Sequence, residues 1–168
     1  MSSVTAGRLG DVVVLDVFDD AVAAALVDLQ RRAYAVEAGL IGHDGVPQLT
    51  ETTAELRGAG LHWLGITDGS GRPVAAIACS WDGPVLDIER LVVDPACFRR
   101  GLGRRLLASL PPATATVVST GRDNLPARAL YERHGFRHIA DVEVLPDLWV
   151  SRLRRDATPC RRTQGEYR

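Results

Sequence analysis

Long apolar runs are missing from this sequence, and so are paired cysteines. No stretch approaches the roughly 20 apolar residues that cross a bilayer, so no membrane span is expected. Met1 to Asp11 lacks the basic segment and long apolar segment of a secretory leader. Cys79, Cys97 and Cys160 are odd in number, far apart and free of any Cys-x-x-Cys pair. That pattern supports neither a disulfide framework nor a zinc site, and a reducing cytoplasm is the expected setting, with no metal. Excess charge is also absent. A formal net charge of −1 gives the chain no overall field that would draw nucleic acid. Aromatic residues make up 5% and do not interleave with basic ones, so no nucleic-acid-binding patch is expected. Neither an internal repeat nor a linker is visible.

What is present is the mixture of a globular domain, with 46% hydrophobic and 24% charged residues in 168. This length fits one domain over residues 1–155, and the polar, Arg-rich, aperiodic stretch 156–168 reads as a disordered tail. The β-branched run Val12 to Val17 reads as a strand, and Ala21 to Glu37 as a helix with Val22, Leu26, Leu29 and Ala33 at helical spacing. After a Gly- and Pro-rich break, Thr50 to Arg57 is a shorter helix. Leu61 to Thr67, Pro73 to Trp81 and Val85 to Val93 form a meander of three strands joined by Gly-containing turns. A helix over Gly101 to Leu110 ends at Pro111-Pro112. Ala115 to Ser119 is a strand, Asn124 to His134 a helix ended by Gly135, and Phe136 to Val144 and Trp149 to Leu153 close the sheet. This order implies an α/β (α+β) domain with a mixed sheet of six to seven strands. The sheet is antiparallel first and then gains a parallel pair at a crossover helix, with helices on both faces.

Two stretches carry chemistry. In the first, Leu91-Val92-Val93 ends a strand, and Phe98-Arg99-Arg100-Gly101-Leu102-Gly103-Arg104 leads at once into a helix. Helix N-termini present unpaired N–H groups and partial positive charge, which suit phosphate. Gly101 and Gly103 let the backbone approach an anion, and Arg99, Arg100 and Arg104 add charge. No Gly-Lys-Ser/Thr follows, which excludes a P-loop, and Leu106 fills the third glycine position of a dinucleotide fingerprint. In the second stretch, Asn124-Leu125-Pro126-Ala127-Arg128-Ala129-Leu130-Tyr131 runs on to Gly135-Phe136. Asn124 and Tyr131 are seven residues apart, two helical turns, and share a face.

These two stretches resemble motif A, Arg/Gln-x-x-Gly-x-Gly/Ala, and the Asn-x-x-Ala-x-x-Leu-Tyr…Gly-Phe signature of the GNAT acetyltransferase family. Phe98 departs from the pattern by filling the Arg/Gln slot. The resemblance extends from about Val12 to Arg154 and implies a GNAT-like fold and acetyl-CoA as co-substrate. It implies that acetyl passes to a primary amine, on a small molecule or a protein, by direct attack in a ternary complex. It places the pantetheine arm on the amides of Leu91, Val92 and Val93, one of which faces the thioester oxygen. The pyrophosphate falls to Arg99, Arg100, Gly101, Leu102, Gly103 and Arg104, the cofactor arm to Asn124, and protonation of the leaving sulfur to Tyr131.

For the base, strand alternation places Asp87, Glu89, Leu91 and Val93 on one face. Glu89 is the first candidate, by resemblance, and Asp87 the second; Arg90 is expected on the other face with its head in water. The acceptor would meet Tyr34 to Glu55, where Glu37, Asp44, Glu51 and Glu55 face one nearby cation, Arg57. His43 and His62 are weaker candidates for a second base, and Trp63, Trp81 and Trp149 are core or cleft wall. Family tendency suggests a homodimer. Two rival readings remain: an acyl-CoA-binding sensor without turnover, and a nucleic-acid module using the arginines.

Overall fold

The computed structural model describes residues 9–42 and 47–158. Cys160, His43, Asp44 and most of the expected tail lie outside the described residues. One mixed sheet organises the chain in the strand order β1-β2-β3-β4-β5-β7-β6. Its strands are β1 (Val12–Val14), β2 (His62–Thr67), β3 (Pro73–Asp82), β4 (Val85–Val93), β5 (Ala115–Gly121), β6 (Arg137–Leu145) and β7 (Leu148–Asp156). Neighbours pair antiparallel except β4 and β5, which are parallel. The crossover between them is α3 (Leu102–Ala108). The other helices are α1 (Asp20–Ile41), α2 (Thr53–Gly58) and α4 (Leu125–Arg133).

Local chemistry sets most boundaries. Asp19 caps α1 by accepting from the N–H groups of Ala21 and Val22, and Gly42 ends it at φ 65°. The helix therefore runs one turn past the expected end at Glu37, with consequences for the site. Thr52 and Glu55 form a reciprocal capping box that starts α2. β1 stops at Val14, short of Val17, because Leu15 and Val17 turn inward under α1. β7 runs beyond the expected Leu153, and Asp156 pairs with Ala115 as its last residue.

The sheet separates two apolar cores. On one face Leu26, Leu29 and Tyr34 of α1 and Leu56 of α2 pack over Ala76, Ala78 and Val92. On the other, Leu102, Leu106 and Leu107 of α3 and Tyr131 of α4 pack over Ile77, Ile88, Val118 and Leu153. Burying each such leucine stabilises the fold by about 1.5–3 kcal/mol. Alanines on the α1 face of β3 let that helix lie close. Among the described residues, no helix is long and apolar enough to cross a membrane.

Candidate active site

The two central strands part company. β4 and β5 pair only from Val85–Ile88 to Ala115–Val118. Beyond that, Leu91 to Val93 pair with β3 alone, and Ser119 to Gly121 with β7 alone. A cleft of about 770 Å³ opens in the gap. Successive amides of a strand point to alternate sides, so every second N–H of this stretch of β4 faces the gap with no strand to receive it.

A β-bulge starts the divergence. Ala78 pairs with Arg90 and Cys79 with Ile88, leaving Glu89 as the extra residue of β4. The bulge also breaks the expected alternation. Leu91 and Val93 pack toward the α3–α4 core, as do Leu86 and Ile88 before the bulge. Asp87 therefore stands on the α1 side, not with Leu91 and Val93. Glu89 joins it there, accepting a hydrogen bond from Ser80 Oγ at 2.6 Å in the row that continues Ala76 and Ala78. Glu89 lines the cleft and Asp87 does not. Burial, then the Glu89 charge, raises the Asp87 carboxyl, with Arg152 opposing.

Arg90 also differs from expectation. Its side chain is 9% exposed and its head is not in water. Nη1 donates to Gln30 at 2.8 Å, Nη2 donates to Glu51 at 2.8 Å, and the guanidinium lies 5.7 Å from the Trp63 ring centre. The acidic group expected near the acceptor is thereby dispersed: Glu51 is paired, Glu55 is occupied in its cap, and Arg57 binds Asp20 and the Val17 carbonyl. Glu37, one turn from the end of α1, is the member among the described residues that lines the cleft.

The loop after β4 places Phe98 and Arg99 on the cleft. Arg99 and Gly101 both have positive φ, 62° and 72°, and Gly101 offers α3 no side-chain cap. The ladder of α3 begins with Arg105 N–H donating to the Gly101 carbonyl at 3.1 Å, which leaves the amides of Leu102, Gly103 and Arg104 without a backbone acceptor. Arg99, Arg100 and Arg104 form no ion pair among the described residues. Arg105 is committed elsewhere, donating to the Gly10 carbonyl at 2.6 Å. The two glycines have different reasons. Gly101 needs its left-handed backbone in open space, whereas a Cβ on Gly103 would come within 2.9 Å of Leu130 Cδ2. The small size of Gly103 serves the approach of α3 to α4.

From α4, Tyr131 reaches the cleft while 4% exposed, its ring edge-on to Phe136. Burial, then Tyr34, Glu37 and Cys79, pushes its hydroxyl above the ordinary tyrosine range. Asn124 is the N-cap of α4, its Oδ1 accepting from Ala127 N–H at 3.2 Å. Its amide and the Gly121 N–H face Glu37, where they favour the charged carboxylate against a larger effect of burial that raises its pKa. Leu91, Val92, Val93, Arg99, Asn124, Tyr131 and Glu89 thus line one cleft. Arg100, Gly101, Leu102, Gly103 and Arg104 are not among its lining residues; they lead into and begin α3, which follows Arg99 in the chain. Cys79, near Asp87 and Glu89, is buried with its thiol pushed up to about 12.

Residues 59–138, from the lead into β2 to the start of β6, match the acetyltransferase (GNAT) domain family. The chain belongs to the GNAT superfamily. A protein of Bacillus subtilis (strain 168), UPF0157 protein YqkA, is 31% identical over 134 residues, 77% of this chain and 39% of that protein. The chain thus spans about two fifths of the length of this curated relative. The ribosomal-protein-S18-alanine N-acetyltransferase of Escherichia coli has a similar structure, with a TM-score of 0.71, 17% identity and cover of 95% of this chain and 100% of that one. PaiA N-acetyltransferase of Thermoplasma acidophilum, solved in complex with coenzyme A, superimposes with a TM-score of 0.70 and 13% identity, over 89% and 99% of the two chains. At these identities the likeness is one of fold.

In this GNAT domain Tyr34 and Glu37, both inside the segment expected to meet the acceptor, line the cleft, though the sequence singled out neither. A signal existed. Gln30, Tyr34 and Glu37 recur at helical spacing along the same side of α1 as Leu26, so polar groups replace apolar ones where the helix passes over the cleft.

Proposed function

We propose that this GNAT domain holds acetyl-CoA in the gap between β4 and β5 and transfers its acetyl group to a primary amine by direct attack in a ternary complex. The carrying observation is the parting of β4 from β5 directly over Tyr131, which leaves strand amides, a protonated hydroxyl and a carboxylate around one cleft. The residues fit the co-substrate. The uncapped amides of Leu102, Gly103 and Arg104 and the unpaired Arg99, Arg100 and Arg104 suit a pyrophosphate, and the N–H groups of Leu91 to Val93 suit an amide-bearing pantetheine arm. Phe98, 48% exposed beside this loop, supplies an apolar surface where the family pattern has a polar side chain.

An amide N–H of β4 faces the oxygen that becomes negative on attack. Glu89, reached directly or through water, takes the proton the ammonium must lose, with Asp87 as the second candidate. As the nitrogen–carbon bond forms and the carbon–sulfur bond breaks, Tyr131 gives its proton, or a hydrogen bond, to the departing thiolate. The raised pKa of Tyr131 keeps that proton available near neutral pH. Asn124 fixes the start of α4, and with it the ring of Tyr131.

The test is thiol release from acetyl-CoA with a panel of primary amines. Amine-dependent release that is lost in Tyr131→Phe supports the reading. Binding of acetyl-CoA without amine-dependent release from any acceptor would favour an acyl-CoA sensor instead.

A further inference from the structure

On the strength of that acetyltransferase reading, we infer that the acceptor is a monoamine carried on an apolar body, with Glu37 as the anchor for its ammonium. Asp28 lies between Arg32 and Arg72, Asp20 is bound by Arg57, Glu51 is locked to Arg90, and Glu55 is taken up in its cap. Glu37 has neutral neighbours, the Asn124 side-chain amide and the Gly121 N–H, and no ion pair among the described residues. A half-buried carboxylate without a cation carries a desolvation cost that an incoming ammonium relieves. Burial raises its pKa, in the direction such a cost requires.

The walls beside it are apolar. Val36 and Leu40 of α1 are 39% and 48% exposed, large for side chains of that type, and both line the cleft. Leu148 and Val150 of β7 line it as well. Apolar surface left open at a concave site is surface that a ligand covers. A second ammonium, as in a polyamine, would lie against these side chains without a counter-charge. A substrate carboxylate, as in an amino acid, would meet Glu37 itself, while Arg90 is already held by Glu51 and Gln30.

The reaction gives the anchor a second use. An ammonium has three N–H donors, so Glu37 can hold one while the proton lost on attack leaves along another toward Glu89. The nitrogen–carbon bond forms, the carbon–sulfur bond breaks, and the electron pair departs on the sulfur that Tyr131 protonates. The product is a neutral amide. Its charge is gone, so the attraction to Glu37 that favoured binding no longer retards release.

The experiment is steady-state thiol release with 2-phenylethylamine, methylamine, spermidine and glycine, using wild type, Glu37→Gln and Leu40→Asn. The chain contains no lysine, so acetylation of its own side-chain amines does not enter the signal. In wild type, kcat/KM for 2-phenylethylamine should exceed that for spermidine and glycine by about tenfold or more. Glu37→Gln should raise KM for 2-phenylethylamine by about 10–100-fold with a smaller change in kcat. Leu40→Asn, which keeps the charge, should raise KM for 2-phenylethylamine more than for methylamine. Equal or better use of spermidine or glycine, or an unchanged KM in Glu37→Gln, overturns the inference. So does turnover of none of the four. In that last case thermal stabilisation by acetyl-CoA in the same samples separates two failures: a shift means the acceptor assignment alone has failed, and no shift means the acetyltransferase reading has failed with it.

Discussion

Tyr131 and Glu89 approach the cleft from opposite sides of the sheet, a separation that suits the proposed transfer, in which one donates a proton and the other accepts one. Tyr131→Phe keeps the ring against Phe136 and removes only the hydroxyl. A loss of kcat of about 10²-fold is expected, with stabilisation by acetyl-CoA preserved. Because burial, with Tyr34, Glu37 and Cys79 beside it, raises the hydroxyl's pKa, wild type should show no alkaline loss of kcat from this group below the ordinary tyrosine value of about 10. Glu89→Gln should lower kcat by about 10²-fold, whereas Asp87→Asn, off the cleft, should leave kcat close to wild type; the reverse pattern would move the base to Asp87. At this scale the sequence was most legible where a motif marks a residue that then lines the cleft, as at Asn124 and Tyr131. It was least legible where a role depends on partners distant in the chain. Glu51 lies 39 positions from Arg90, and no local pattern announces that the two are joined. Glu37 stands out only once Glu51 and Glu55 are seen to be occupied.

Elements place these groups, and two junctions carry most of the weight. A Cβ at Gly103 meets Leu130, so Gly103→Val should force α3 from α4 at a cost of about 1–3 kcal/mol, read as a lower Tm. Gly101 has no such neighbour but sits at φ 72°. Gly101→Val there strains the backbone by roughly 1–2 kcal/mol, and it should weaken acetyl-CoA stabilisation out of proportion to any loss of Tm. The buried Arg90–Glu51 pair pins the segment before α2 to β4. Glu51→Ala strands a buried guanidinium and should destabilise by about 3 kcal/mol or more, visible as a fall in Tm of roughly 6–12 °C. The existence and order of every strand and helix follow from hydrophobic period and Gly–Pro punctuation. The bulge does not. Val85 to Val93 reads as uninterrupted alternation, and only pairing with β3 shows that Glu89 is the extra residue and that Asp87 has changed sides. The last turn of α1 was missed for a similar reason: Gly39 looks like a stop, but packing carries the helix to Gly42.

For the molecule as a whole, a continuous seven-stranded sheet with one parallel pair gives a rigid frame whose weakest seam is the functional one. The outer ribbon of β6 and β7 is held partly by Asp141, which accepts from Ser151 Oγ at 2.6 Å and lies 2.8 Å from His138 Nε2. Ser151, and then His138, hold its carboxyl below the usual range. A depressed folded-state pKa contributes stability that is present above the ordinary aspartate value and lost as pH falls through the depressed one. Asp141→Asn should therefore flatten the acid limb of the Tm-against-pH curve below about pH 4, with little change at higher pH from this titration. Fold class, strand order up to the closing ribbon and the motif-bearing loop were all accessible from sequence, because the domain matched by residues 59–138 spans the stretch whose local patterns are strongest. The acceptor side was not, since it is assembled from α1, β5 and β7 across the sheet.

Every role proposed for these residues requires acetyl-CoA in the gap between β4 and β5. Thermal stabilisation by acetyl-CoA, with ATP and desulfo-CoA as comparators, tests it most directly. Acetyl-CoA should give a saturable rise in Tm, equivalent to about 2.7 kcal/mol at a hundredfold excess over Kd. ATP should give far less, and the rise should diminish in Gly101→Val. A flat response to acetyl-CoA at about 1 mM, the upper end of the range in which a working site should saturate, would contradict it.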